Sequence, residues 1–230
     1  MQRYFSNELI DNSFRLNDDD CYHMRKVMRM TDGDKIEVVY DSKLYICKLK
    51  DNFATIENMV QTEVKKIKYT LVLPILQEQK MSFVLQKATE LGIDEIIPIL
   101  TTRSKVKVDE KEDKKLARWQ RICKEAAEQS KRLDIPIINK IVSIDDLDID
   151  GFKVVCSTKE KSNTLKKVLK NNLNCDKIVM CVGPEGGLTE LEETKLIDRG
   201  FIPTSLGSNI MRVETVPIYL LSILNYEIME

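Results

Sequence analysis

Apolar and polar positions follow two different rhythms along the chain. Before about residue 70, apolar positions form short runs separated by polar turns, which predicts closely spaced strands and favours a small β-barrel. The predicted strands are 35–40, 44–49 and 54–57. Upstream of them, Met24, Val27 and Met28 are spaced as on one face of a helix, so a helix is predicted over 21–30.

After about residue 70, strand-like apolar runs alternate with helical patterns. The predicted strands are 70–76, 95–100, 153–157, 177–182 and 201–206, and the predicted helices are 80–91, 111–131, 164–170, 190–199 and 216–228. This alternation is typical of an α/β layer with a mostly parallel sheet. The change of rhythm between residues 64 and 69 predicts two domains, over 1–70 and 71–230.

Charge does not by itself indicate a partner. The 230 residues carry 36 basic and 37 acidic side chains, a net charge of −1, and 43% of them are hydrophobic, which fits a globular protein. The segment 103–132 is basic, with eleven Lys or Arg against six Asp or Glu. On charge alone, the favoured interpretation of that segment is a solvated helical face.

Metal, disulfide and membrane chemistry have little support in the sequence. The six cysteines include no Cys-x-x-Cys pair and His23 is the single histidine, so we expect reduced thiols and no metal site. The first residues lack an apolar signal segment, and no apolar run approaches the length of a membrane span. We therefore expect a cytoplasmic protein that does not enter a membrane.

Two glycine-marked loops near the end of the chain are candidates for binding a ligand. The segment 182–187, Val-Gly-Pro-Glu-Gly-Gly, follows an apolar strand and precedes Thr189 and Glu192, which form the capping-box pattern of a helix start. Glycines at such a corner leave main-chain groups uncovered, so a flat ligand such as adenine could be recognised by hydrogen bonds. The loop matches neither the dinucleotide-binding nor the Walker pattern, and a plain tight turn is equally compatible with it.

The second loop, 206–215, also leaves the end of a predicted strand, where ligands gather in open α/β sheets. Arg212 is the charged residue expected to point into a shared site, although an ordinary surface ion pair with Glu214 is the simpler interpretation. The neighbouring carboxylates Glu192 and Glu193 are expected on a solvated helix surface, and His23 is expected to be structural.

Five sequence blocks, in order along nearly the whole chain, resemble one family. Four of them are 23–29 with Gly33 and Asp34, 86–92, Arg118 with Trp119, and 125–130 with Arg132. The pair of glycine-marked loops is the fifth. Together they resemble the ribosomal RNA small-subunit methyltransferase E family of SPOUT, or α/β-knot, methyltransferases. Each block is moderately specific, and their shared order makes the resemblance specific.

The resemblance implies a fold and an activity. Similar proteins combine an N-terminal PUA-like barrel that handles RNA with a C-terminal knotted α/β domain that binds S-adenosylmethionine and forms a homodimer. The implied reaction is methyl transfer to N3 of a uridine, position 1498, in 16S rRNA of the small ribosomal subunit.

The resemblance also implies roles for individual residues. Catalytic roles fall to Arg212 and Arg3. The positions implied for cofactor binding are Thr158, Gly183, Pro184, Glu185, Gly186, Leu206, Gly207, Ser208, Ile210, Met211 and Arg212. The candidate RNA contacts are Arg25, Lys26, Arg29, Lys87, Arg103 and Lys105. Asn209 and Val213 depart from the family pattern, which commonly has Arg and Thr there, so a cationic contact is missing.

Two alternatives stay open. One is an enzyme of the same fold that acts on another RNA base or on a ribose 2′-hydroxyl. The other is a noncatalytic protein that binds RNA or assists ribosome assembly. The modified nucleoside distinguishes the first from the main interpretation, and binding of S-adenosylmethionine distinguishes the second.

Overall fold

The computed structural model describes residues 1–62, 66–104, 112–170, 172 and 174–228. The chain divides into two units, each with its own core. The first unit comprises residues 1–64 and 127–135, and the second comprises 65–126 and 136–230. The assignment of 1–70 and 71–230 to separate functions stays a prediction.

The first unit is built around a mixed six-stranded sheet. Its elements are β1 (Arg3–Phe5), β2 (Leu9–Ile10), β3 (Ser13–Arg15), α1 (Asp18–Tyr22), a π-helical turn (His23–Val27), β4 (Lys35–Tyr40), β5 (Lys43–Lys50) and β6 (Phe53–Val60). The strand order is β1-β4-β5-β6-β3-β2, with β1 and β4 parallel and the other pairs antiparallel. Phe14, Ile36, Val38 and Leu49 lie in its core because alternate strand positions face the same side.

The predicted helix over 21–30 is wrong in its length and its apolar face. The α-helix ends at Tyr22, and a π-helical turn follows it. Met24 is buried as expected, whereas Val27 is 58% exposed and Met28 is also exposed. A π-helical turn adds a residue to each hydrogen-bonded loop, so the spacing of three and four residues no longer keeps these side chains on one face.

The second unit alternates strands and helices, as predicted. Its elements are β7 (Lys68–Pro74), α2 (Glu78–Glu90), β8 (Glu95–Leu100), α3 (Glu112–Gln129, whose last residues belong to the first unit), β9 (Ile137–Ile138), β10 (Val142–Ser143), β11 (Phe152–Cys156), α4 (Leu165–Lys170), β12 (Lys177–Cys181), α5 (Glu190–Asp198), β13 (Ile202–Thr204) and α6 (Thr215–Ile228). Each strand and helix predicted there has a counterpart within a few residues. The apolar runs predicted these elements because each must bury one face.

The second sheet is parallel in all its described pairs, which confirms the predicted sheet type. Its order is β10-β8-β7-β12-β11-β13, with β9 also paired to β8. Val72, Ile99, Val155 and Val179 lie in the core against one face. The strands β11, β12 and β13 are therefore neighbours, and their carboxyl ends share one edge of the sheet.

Short strands are absent from the sequence prediction. Strands β1, β2, β3, β9 and β10 have only two or three residues each, too few to show an alternating pattern. Within the described ranges, none of the helices is long and apolar enough to cross a membrane.

Candidate functional site

Three loops at the carboxyl ends of β11, β12 and β13 line one cavity in the second unit. The cavity has a volume of about 590 Å³. Because neighbouring parallel strands release their loops at the same edge, the loops emerge side by side. The lining residues are Lys80, Arg103, Cys156 to Lys159, Lys161, Val182 to Leu188, Glu193, Leu206 to Val213, and Val216. Every position predicted for cofactor binding belongs to this lining, while the binding itself stays a prediction.

In the loop after β12, Gly183 packs closely against Leu188. A Cβ added at Gly183 would lie 3.2 Å from the Leu188 Cγ and 3.3 Å from its backbone nitrogen, so a larger residue would displace the loop. The Arg103 guanidinium donates a hydrogen bond of 2.9 Å to the Gly186 carbonyl. Arg103, predicted as an RNA contact, therefore also supports this loop from the end of β8.

The loop after β13 presents its backbone to the cavity. Gly207 has φ of +126°, a conformation that side-chain-bearing residues rarely adopt, and an added Cβ there would meet open space. Within the described part of the chain, the amides of 207–211 make no hydrogen bond. Ile210 is 84% exposed although it is apolar. Free amides beside an exposed apolar side chain suit a ligand with a polar edge and a flat face.

The loop after β11 completes the lining. The Ser157 amide donates to the Thr204 carbonyl at 3.0 Å, which fixes this loop beside β13. Thr158 is exposed, and its carbonyl accepts a hydrogen bond of 3.0 Å from the Lys161 ammonium. Lys159 lies 3.5 Å from Glu190 and 3.7 Å from Glu193. Two lysines thus line this side of the cavity.

A lysine from α2 joins the two glycine-marked loops. The Lys80 ammonium donates a hydrogen bond to Glu185, and it lies 3.7 Å from Glu214 Oε2. The hydrogen bond to Glu185 raises the pKa of Lys80, while the positive charge of Arg212 opposes that rise. No local sequence pattern predicts this contact, because Lys80 and Glu185 are 105 positions apart.

The expected ion pair between Arg212 and Glu214 is not formed. Glu214 is paired with Lys80, and Arg212 is exposed with no hydrogen bond or ion pair from its side chain to any described residue. The Arg212 carbonyl instead accepts the Thr215 amide at 2.9 Å, at the start of α6. Among the residues that the structure describes, the Arg212 guanidinium at the cavity therefore has no partner.

Glu192 is buried, which corrects its predicted place on a solvated surface. It is 8% exposed and forms the capping box of α5 with Thr189. Its second oxygen, Oε1, accepts the Thr102 amide at 2.7 Å. Burial alone would raise the pKa of Glu192, but hydrogen bonds from Thr102 and Thr189 outweigh it and hold the pKa below its usual value.

Comparison with known proteins identifies the family of this chain. Residues 63–225 match a family model described as an RNA methyltransferase domain, and residues 16–57 match one described as an RNA methyltransferase PUA domain. Ribosomal RNA small subunit methyltransferase E of Bacillus subtilis is 32% identical to this chain, over 99% of the chain and 97% of that protein. The chain belongs to the ribosomal RNA small subunit methyltransferase E family.

Further comparisons agree with this family. The methyltransferase E of Mesomycoplasma hyopneumoniae is 33% identical, over 96% of this chain and 98% of that protein. A crystal structure of the methyltransferase E of Neisseria gonorrhoeae bound to S-adenosyl methionine has a TM-score of 0.86 and 29% identity, and covers 99% of this chain and 98% of that one. The predicted architecture, a PUA-like domain followed by an α/β domain with a parallel sheet, is confirmed. The knot stays a prediction.

In this member of the methyltransferase E family, the residues predicted to contact RNA differ in their exposure and in their partners. In the first unit, Arg25 is bound by Asp32 and by the carbonyls of Met30 and Asp51, whereas Lys26 and Arg29 are exposed. In the second unit, Lys87 pairs with Glu90 at 2.7 Å. Lys105 lies outside the described residues. Lys26 and Arg29 are therefore the more accessible cations of the first unit's candidates.

Arg3 lies in the first unit and is only 7% exposed. Its Nε donates to Glu37 at 2.8 Å, and its Nη1 donates to the carbonyls of Lys131 and Arg132. Burial alone would raise the pKa of Glu37, but hydrogen bonds from Arg3 and Lys131 lower it overall. These contacts hold Arg3 in one position, and its predicted catalytic role stays a prediction.

Proposed function

We propose that this chain methylates N3 of uridine 1498 in 16S rRNA of the small ribosomal subunit, with S-adenosylmethionine as the methyl donor. The observation that carries the proposal is the cavity where the three loops meet at the carboxyl ends of β11, β12 and β13. Membership of the methyltransferase E family supports the substrate, and the bound cofactor of the Neisseria gonorrhoeae relative supports the donor.

The cavity lining fits this cofactor. The uncovered amides of 207–211 suit the polar edge of an adenine, and Ile210 offers an apolar surface for its face. At Gly183 in the opposite loop there is no room for a side chain, since an added Cβ would lie 3.2 Å from the Leu188 Cγ. Residues of all three loops would hold the cofactor: Thr158, Gly183 to Gly186, Leu206 to Ser208, and Ile210 to Arg212. When bound, it supplies a methyl group on a positively charged sulfonium.

Arg212 is the group that this chain offers to the reacting base. Uracil N3 carries a proton at neutral pH, so this proton must pass to solvent before N3 attacks the methyl group. Loss of the proton places negative charge on the neighbouring oxygens. The Arg212 guanidinium is exposed and has no carboxylate partner within the described part of the chain, so it can stabilise that charge and bind the base in line. Arg3 is proposed as a second catalytic cation.

The proposed substrate is folded RNA, and basic side chains are proposed to contact its phosphates. The target base must leave its stack to enter a cavity of this size, which favours a structured ribonucleoprotein substrate. We assign phosphate contacts to Arg25, Lys26, Arg29, Lys87, Arg103 and Lys105.

The PUA-like domain over 1–70 would handle RNA, and the domain over 71–230 would be knotted and catalytic. The active form would be a homodimer in the cytoplasm.

Methyl transfer to small ribosomal subunits tests the proposed function. Incubation of unmodified subunits with labelled S-adenosylmethionine should label 16S rRNA, and mass spectrometry should identify N3-methyluridine at position 1498. Labelling of another base or of a ribose would support the same-fold alternative instead. Absence of both labelling and cofactor binding would support a noncatalytic protein.

Gly207→Ala should weaken binding of S-adenosylmethionine. The backbone at Gly207 has φ of +126°, so an alanine must either adopt a strained conformation or shift the loop that presents its amides. We expect the Kd, measured by calorimetry, to rise about tenfold, which corresponds to roughly 1.4 kcal/mol. Gly33→Ala, at a positive φ in the first unit, is the matched control and should leave the Kd unchanged.

A further inference from the structure

More charged residues line the cavity than take part in the proposed reaction. Lys80 reaches it from α2 and Arg212 from the loop after β13, and Glu185 belongs to the same lining. Glu214 follows Arg212 by two residues. Among the described residues, five cations line the cavity beside the carboxylates of Glu185 and Glu193, namely Lys80, Arg103, Lys159, Lys161 and Arg212, and Glu214 lies 3.7 Å from Lys80. These charges can pair in more than one way, and the pairing decides whether Arg212 remains available.

In the structure both carboxylates are paired with Lys80. Its ammonium donates to Glu185 and lies 3.7 Å from Glu214 Oε2. Glu214 is 18% exposed, and Oε2 is shielded from solvent without a hydrogen-bond partner among the described residues. A carboxylate oxygen that is shielded from solvent depends on a nearby counter-charge, because water no longer stabilises it. Lys80 supplies that charge.

Without Lys80, Arg212 is the nearest replacement along the chain. Its side chain is exposed and makes no contact with a described carboxylate, and its charge already acts on Lys80. A guanidinium on a long side chain can turn toward a carboxylate two residues away and bind it through two donors. Loss of the positive charge beside Glu214 would favour this movement of the Arg212 side chain.

We propose that Lys80 is a positioning residue that occupies the carboxylates of Glu185 and Glu214, so that Arg212 stays available to the RNA base. Lys80 acts through these carboxylates and does not touch the reacting atoms. This inference rests on the proposed role of Arg212. It explains why a lysine from a distant helix joins the two loops that the order of the sheet brings together.

The first test measures the availability of Arg212 without any turnover. Phenylglyoxal modifies accessible arginines, and mass spectrometry of the peptide that contains Arg212 gives its rate. We expect Lys80→Gln to slow modification of Arg212 about tenfold, and Lys80→Gln combined with Glu214→Gln to restore most of the rate. Equal rates in the wild type and in Lys80→Gln would overturn the proposal. This readout stands even if the substrate is not 16S rRNA.

The second test separates positioning from binding by kinetics. In Lys80→Gln, kcat for methyl transfer should fall about tenfold, while the Kd for S-adenosylmethionine changes less than threefold. Lys80→Arg keeps the charge and should retain most of the activity. The double variant with Glu214→Gln should recover part of the lost kcat, since the competing carboxylate is gone.

Other results would contradict the proposal. If the double variant is as slow as Lys80→Gln, Lys80 does not act through Glu214. If Lys80→Gln raises the Kd tenfold and leaves kcat unchanged, Lys80 is a binding contact. Circular dichroism and thermal melting show whether each variant is folded, and activity of Lys80→Arg shows that the position tolerates substitution. Failure of the wild type to methylate small subunits would instead reject the proposed function.

Discussion

Replacement of Arg212 by alanine is expected to reduce kcat for methyl transfer by about 100- to 1,000-fold, the loss seen when one preorganised donor to a developing negative charge is removed. Arg212 is an exposed cation at the cavity whose side chain has no hydrogen bond or ion pair with a described residue, whereas Arg103 and Lys161 donate to backbone carbonyls. Its charge is therefore available to the uracil oxygens as N3 loses its proton. Because the contact forms mainly in the transition state, kcat and kcat/KM should fall together. Methyl transfer to small ribosomal subunits under saturating cofactor measures both.

Two further variants sharpen the Arg212 experiment. Arg212→Lys keeps the charge but loses the planar pair of donors, so we expect an intermediate rate. Arg199→Ala is the control, because Arg199 lies between the end of α5 and the amino end of β13, opposite the edge with the cavity. Wild-type activity in Arg212→Ala would remove this residue from the mechanism.

Replacement of Glu192 by alanine should lower the free energy of unfolding by about 3 kcal/mol. The buried carboxylate accepts from the amides of Thr102 and Thr189 and from the Thr189 hydroxyl, at 2.7 to 2.9 Å. Alanine leaves these donors without an acceptor and removes the capping box of α5. Urea unfolding at pH 7, followed by circular dichroism, measures the loss.

The contribution of Glu192 should also depend on pH in a definite direction. Its pKa is lower in the folded protein than in the unfolded chain. The stabilisation is therefore complete above the unfolded pKa of about 4.3 and is lost as pH falls through the folded pKa. The difference in stability between wild type and Glu192→Ala should shrink in strongly acidic solution.

A glutamate on the same helix provides the control. Glu190 is highly exposed and lies 3.5 Å from Lys159, so Glu190→Ala should change stability by no more than about 0.5 kcal/mol. A similar loss in both variants would mean that the burial of Glu192 contributes nothing beyond an ordinary helix N-terminus. A constant difference at every pH would contradict the ionised state of the buried carboxylate.

The sequence by itself determined the types and order of the long elements. Helix α2 repeats its apolar positions every three or four residues, and strand β8 matches the predicted 95–100, because each element must bury one face. The backbone conformation at Gly207 can likewise be predicted from the sequence, since a glycine after a strand permits the positive φ that the loop adopts. The resemblance of five ordered blocks added the family, which periodicity alone could not supply.

Only the tertiary structure decided which of these features meet. The order of the sheet places β11 between β12 and β13, and this arrangement turns separate loops into one cavity lining. It also buries Glu192 against Thr102 and brings Lys80 to Glu185. Local periodicity reports whether a residue faces a core, but strand order and long-range pairs depend on how the whole chain packs. Distant charges become partners only when that packing is complete.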